Sequence, residues 1–127
     1  MNDSKVLLIE DDEAIANLYR LSLERGGFQV VVAADGKAGL AHALHEDYSV
    51  ILLDIMLPQM NGFDILRVLG EKGRLAKTPV VVISNMTREE LAEAKRLGAR
   101  DFFIKAQITP DQLLDRVRKI SHAQMTP

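Results

Sequence analysis

Polar residues of the kinds that do phosphate and metal chemistry recur in this chain where short apolar runs stop. The run at 6–9 ends in Glu10-Asp11-Asp12, that at 50–53 in Asp54, that at 80–83 in Ser84 and that at 102–104 in Lys105. If the first and third runs are neighbouring strands, their axes lie about 5 Å apart and their terminal carboxylates must meet. Carboxylates gathered in this way repel, and one is driven to hold a proton unless a cation compensates. A hard divalent ion with oxygen ligands is the natural compensation. Mg²⁺ prefers a few carboxylates, several waters and phosphate oxygens. With a lysine and a hydroxyl alongside, such an open oxygen site suits phosphoryl transfer, where catalysis is mainly positioning and charge neutralisation. Any one of these residues is what a polar loop supplies anyway. Lys105 or Ser84 alone carries little weight, and the inference rests on the set.

The elements that must position the set are legible from periodicity. The runs at 6–9, 30–33, 50–53, 80–83 and 102–104 are short and mostly β-branched or aromatic, which favours strand over helix. Between them lie helical stretches with marked ends. The stretch 12–25 stops at Gly26-Gly27, and 36–46 follows Asp35 as an N-cap. Asn61 caps a helix to about Gly70, and Thr87-Arg88-Glu89-Glu90 reads as a capping box for a helix closing at Gly98. Thr109-Pro110-Asp111-Gln112 opens the last helix with proline in its first position. Strands alternating with helices imply right-handed crossovers and a parallel sheet. The runs at 6–9, 50–53 and 80–83 are apolar on both faces and should be central. The run at 28–33 holds Gln29 and the one at 101–104 opens on Asp101, so these should be edges. The order is then 2-1-3-4-5, a five-stranded, doubly wound α/β sheet with five helices, of the flavodoxin-like kind. Ligands in such folds sit beyond the carboxyl ends of the strands, here between the first and third.

The 127 residues suit one compact domain, with a core over about 4–121 and a loose tail at 122–127. At 47% hydrophobic and 27% charged, the chain can build a core without staples. Cysteine is absent, which removes disulfides and thiolate metal sites and fits a reducing cytoplasm. The N-terminal residues lead straight into a strand-like run without an apolar leader, so a cytoplasmic location is expected. A net charge of −2 argues against direct nucleic-acid binding, and charged residues interrupt every apolar run, so no membrane span is expected.

Over residues 4 to about 121 the chain resembles the receiver domains of two-component response regulators. The resemblance lies in Leu7-Leu8-Ile9-Glu10-Asp11-Asp12, Leu53-Asp54-Ile55-Met56-Leu57-Pro58 with Gly62 following, Val82-Ile83-Ser84, and Gly98-Ala99-Arg100-Asp101-Phe102-Phe103-Ile104-Lys105. It implies a signalling phosphoacceptor that assists its own phosphorylation and dephosphorylation, rather than an enzyme with turnover. Asp54 would accept the phosphoryl group from a phosphohistidine of a sensor kinase, from a phosphotransfer protein or from a small phosphodonor. Glu10, Asp11, Asp54 and the backbone carbonyl of Met56 would bind Mg²⁺, with Mn²⁺ a possible substitute. Lys105 would pair with the phosphoryl oxygens and Ser84 would donate its hydroxyl to them. Phe102 would turn inward as Ser84 moves, a reading the resemblance favours over simple packing of Phe102 and Phe103 as one ring on each face of an edge strand. The fourth helix, fifth strand and fifth helix would form the face that meets a downstream protein or output domain. With Glu10 and Asp11 as the ligand pair, Asp12 is expected to cap the first helix, with a supporting role in the site open.

Two positions depart from the family pattern and are candidate modulators. Ala106 stands where a proline, often in cis linkage, follows the lysine, and a non-proline cis bond costs about 3 kcal/mol. Asn85 replaces the small residue expected after Ser84; it could narrow access to the site, alter dephosphorylation or hydrogen-bond locally. These two leave open a pseudo-receiver, a protein-interaction module that is never phosphorylated, against which the complete acidic set, Ser84 and Lys105 argue. A haloacid-dehalogenase-type phosphatase fits less well. It needs a second aspartate two residues after its nucleophile, and here Asp11 is followed by Glu13 and Asp54 by Met56.

Overall fold

The structure, a computed structural model, describes residues 5–125. Five parallel strands, β1 (Lys5–Ile9), β2 (Gln29–Ala33), β3 (Val50–Leu53), β4 (Val80–Ser84) and β5 (Asp101–Ile104), form one sheet in the order β2-β1-β3-β4-β5. They alternate with α1 (Glu13–Arg25), α2 (Gly36–His45), α3 (Gly62–Glu71), α4 (Arg88–Arg96) and α5 (Pro110–Met125). The expected architecture, strand order and edge strands are all present.

Side chains alternate between the two faces of a strand, and each face of this sheet has its own core. On one, Leu7, Ile9, Ile51, Leu53, Val80 and Val82 pack under α2, α3 and α4, which contribute Ala43, Ile65, Leu66, Leu69 and Ala94. On the other, Val6, Leu8, Val50, Leu52, Val81 and Ile83 meet α1 and α5 through Ala16, Tyr19, Leu23, Leu113 and Val117. Both faces of β1, β3 and β4 are covered, which is why those runs are continuously apolar. Full burial of each leucine, isoleucine or valine contributes about 1.5–3 kcal/mol.

Side-chain caps start every helix. Asp12 accepts from the Ile15 N–H (3.1 Å), Asp35 from Ala38 (2.8 Å) and Asn61 from Asp64 (3.0 Å). Thr87 and Glu90 cap each other's backbone N–H, as do Thr109 and Gln112. Asp12 therefore has the capping role expected of it, and each cap fixes where a strand-to-helix loop ends.

Three differences from the sequence reading have physical causes. The tail expected at 122–127 is helical as far as Met125, because nothing in Ile120-Ser121-His122-Ala123-Gln124-Met125 breaks a helix before Pro127. Thr126 and Pro127 lie outside the described residues. Short 3₁₀ turns at Arg74–Ala76 and Lys105–Gln107 were not anticipated, since a three-residue turn carries no periodic signal. Gln59 sits at φ 73° in the loop after β3, the only non-glycine residue at positive φ among the described residues. A left-handed backbone costs an ordinary L-residue about 1–2 kcal/mol, partly offset on replacement by the greater freedom of glycine in the unfolded chain. Gln59→Gly is therefore expected to stabilise the protein by about 0.5–1 kcal/mol, read as a higher urea midpoint at unchanged slope. An unchanged or lower midpoint would mean that the Gln59 side chain offsets the strain.

Candidate functional site

The register of the sheet brings the polar residues together. Ile9 pairs with Leu53 and Leu53 with Val82, so β1, β3 and β4 run out along one edge. The Asp54 N–H continues the ladder to the Ile9 carbonyl (3.0 Å), which sets Glu10 and Asp54 side by side. Ser84 pairs with Ile104, which places Lys105 at the next position along β5.

Asp54 is buried, and both of its carboxylate oxygens are engaged. Oδ1 accepts from the Ser84 hydroxyl at 2.8 Å and from the Met56 N–H at 3.2 Å, and Oδ2 accepts from Lys105 Nζ at 2.7 Å. The same ammonium lies 2.8 Å from Glu10 Oε1, while Glu10 Oε2 accepts from the Asp12 N–H at 3.0 Å. Glu10 is only 3% exposed, whereas Asp11 faces solvent. Glu10, Asp11 and Asp54 each present an oxygen within 4.8 Å of the others.

Three carboxylates stand against one ammonium in the pocket. Burial raises the Glu10 pKa above the ordinary glutamate value; the Lys105 and Asp12 hydrogen bonds oppose this and the Asp54 charge adds to it. A carboxyl whose folded pKa is raised favours the fold on the acid side, and that contribution is lost as pH rises through the raised value. Burial works to lower the Lys105 pKa, but its bonds to Asp54 and Glu10 prevail and the value is raised. Lys105 therefore stays an ammonium throughout neutral pH. The donor set, all hard oxygen with two acids buried and one open to solvent, fits a divalent cation of the Mg²⁺ type.

The remaining predicted residues are placed as follows. Phe102 is half-buried and packs on the α2–α3–α4 side, while Phe103 packs on the α1–α5 side with Arg116 over its ring at 5.3 Å. The two rings thus take opposite faces of the edge strand. The Met56 side chain is 70% exposed, and its backbone N–H is the part that reaches Asp54. No peptide bond among the described residues is cis, so Lys105–Ala106 is trans, and the Ala106 N–H donates to Asn85 Oδ1 at 3.1 Å. Asn85 thus makes the local hydrogen bond that is one of the outcomes open for it. Two glycines set the approach of the surrounding loops. Gly36 opens α2 against the Met60 carbonyl, and Gly62 opens α3 against the Asp54 carbonyl. Gly36 had no signal in the sequence, because its constraint comes from a segment more than twenty residues away.

A doubly wound sheet with an acidic pocket, a hydroxyl and a lysine at its switch point defines the class of receiver folds. The family profile of the response regulator receiver domain matches residues 6–118, and the chain belongs to that family, the receiver domains of two-component response regulators. It is 34% identical over 123 residues to the response regulator ArlR of Staphylococcus saprophyticus, covering 95% of this chain and 54% of that protein. It is 38% identical over 128 residues to the cell cycle response regulator CtrA of Brucella ovis, covering 94% and 53%. The chain thus spans about half the length of the curated relatives it matches. Among solved structures it resembles the receiver domain of a Francisella response regulator, with a TM-score of 0.88, 30% identity and 94% of this chain and 98% of that one covered. No helix among the described residues is long and apolar enough to cross a membrane.

Proposed function

We propose that Asp54 is the phosphoacceptor of this receiver domain. The observation that carries the proposal is the convergence on Asp54, at the end of β3, of a lysine, a hydroxyl and two further acids from three other strand ends. A carboxylate oxygen of Asp54 attacks phosphorus in line. An O–P bond forms as the bond to the donor, the imidazole nitrogen of a phosphohistidine or the oxygen of a small acyl phosphate, breaks, and the electron pair leaves with the donor. Lys105, kept cationic by its two carboxylates, transfers part of its pairing from Asp54 to the phosphoryl oxygens. Ser84 exchanges its bond to Asp54 Oδ1 for one to a phosphoryl oxygen, and the Met56 N–H keeps the carboxylate oriented.

The side chains of Glu10, Asp11 and Asp54 and the carbonyl of Met56 would hold Mg²⁺, or Mn²⁺ in its place. When bound, the ion supplies neutralisation of phosphoryl charge. The donor partner is a sensor histidine kinase or phosphotransfer protein. The output face is that of α4, β5 and α5, where Leu91, Phe102, Phe103, Ile108, Gln112 and Arg116 line a groove of about 440 Å³. Loss of the Ser84 bond to Asp54 frees the end of β4 to shift, and Phe102 on neighbouring β5 would follow it, altering that groove.

The test is incubation with Mg²⁺ and acetyl phosphate, followed by intact mass and peptide mapping. One phosphoryl group located on Asp54, with none incorporated when the metal is chelated beforehand, is the expected result. No incorporation would leave a pseudo-receiver, and sustained turnover of phosphate esters would revive the phosphatase reading.

A further inference from the structure

The β4–β5 ladder ends at the pair Ser84 and Ile104. One step further the chains carry the residues that matter most to the pocket, because Ser84 is the last residue of β4 and Lys105 the first after β5. No backbone rung joins the two strands beyond that pair. What joins them is the side chain of Asn85, whose Oδ1 accepts from the Ala106 N–H at 3.1 Å. The 3₁₀ turn Lys105–Gln107 has no side-chain cap of its own, and this bond satisfies one of its leading N–H groups. The bond also requires a residue other than proline at 106, since proline has no N–H to give. The two departures from the family pattern are therefore the two halves of one contact.

We infer that Asn85 is a positioning residue that extends the β4–β5 ladder by a side-chain rung and so holds the Lys105 turn against the Ser84 strand end. The inference rests on the proposed role of Asp54, because Lys105 and Ser84 matter through it. Asn85 itself makes no hydrogen bond to the pocket residues. It acts on the pair that flanks Asp54, with Ser84 Oγ and Lys105 Nζ at 2.8 and 2.7 Å from its two oxygens. Asn85 and Ala106 are both exposed, so the bond competes with water and its effect is modest. Its loss is expected to slow labelling of Asp54 by about three- to tenfold.

A double-mutant cycle on the whole chain isolates the contact. Mg²⁺-dependent labelling by acetyl phosphate is timed for the parent, Asn85→Ala, Ala106→Pro and the double variant. Asn85→Ala is expected to slow the parent and to change nothing once proline stands at 106. An equal slowing in both backgrounds, or none in either, would overturn the inference. The amide spectrum gives a readout that does not depend on the proline variant folding. In Asn85→Ala the Ala106 N–H should shift and exchange faster with solvent, and an unmoved Ala106 signal also overturns the rung. Peptide mapping keeps the two proposals apart. Label found elsewhere than Asp54 removes the phosphoacceptor reading, whereas label on Asp54 with additive variants removes only the rung.

Discussion

Lys105→Ala is expected to slow labelling of Asp54 by about 10²- to 10³-fold and to destabilise the metal-free protein by about 1–3 kcal/mol, with Mg²⁺ reversing most of the second effect. The two effects have one origin. Among the described residues the ammonium is the only cation touching Glu10 and Asp54, whose side chains are 2% and 4% exposed. Removing one partner of a buried pair strands the other charge, which in a dry interior costs about 3–5 kcal/mol. Here the pocket opens to water through Asp11, and Lys105 is itself 15% exposed, so the lower range applies. The Lys105 pKa is raised, so the ion-pair contribution is complete below the ordinary lysine value and is lost only as pH climbs through the raised one. The ion pair is therefore fully formed in the parent across neutral pH. Mg²⁺ at about one hundred times its dissociation constant adds about 2.7 kcal/mol to either protein, and more to the variant if affinity rises once the competing ammonium is gone. Rates come from the labelling time course and stabilities from urea unfolding with and without Mg²⁺. A stability loss that Mg²⁺ leaves untouched would mean that Lys105 acts through packing rather than charge.

The same residue illustrates what a sequence discloses. That Lys105 closes a strand is legible, because strand ends follow from period and run length. Strand order follows from which runs are apolar on both faces, and with it the meeting of Glu10 with Asp54. The capping residues Asp12, Asp35, Asn61, Thr87 and Thr109 are equally local, since a cap and the N–H it serves lie within three residues. Contacts between segments that no periodicity links are hidden. The sharing of Lys105 between two acids, the Asn85 rung to Ala106 and the seat of Gly36 on the Met60 carbonyl each depend on how two loops approach in space. The helix beyond Ser121 was missed for a different reason. A loose tail is the expectation for 122–127, yet no residue before Pro127 breaks a helix, and α5 runs on to Met125.

Gly36→Ala is expected to lower stability by about 3 kcal/mol or more and the melting temperature by about 10 °C or more. A Cβ at Gly36 would stand 1.7 Å from the Met60 oxygen and 2.6 Å from its carbonyl carbon. The obstacle is backbone, so no rotamer change relieves it. The Gly36 N–H also donates to the Pro58 carbonyl at 3.0 Å, so α2 and the loop after β3 cannot separate without breaking that bond. That loop begins at Asp54 and carries the Met56 N–H that orients its carboxylate. Its other end is pinned as closely, since Gly62 donates to the Ile55 carbonyl at 2.9 Å and a Cβ there would come within 2.6 Å of the Asp54 oxygen. Pushing the loop outward at Met60 should therefore displace Asp54, and labelling should slow as well as stability fall. Gly70→Ala is the contrast. It lies within α3, with Leu75 Cδ1 at 3.4 Å as the nearest obstacle, and should gain about 0.5–1 kcal/mol from helix propensity without altering the labelling rate. Thermal unfolding and the labelling time course of the two variants decide the matter. A Gly36→Ala protein as stable as the parent would show that the loop after β3 is free to move away from α2. The tight seat beneath Asp54 would then have no part in holding the site.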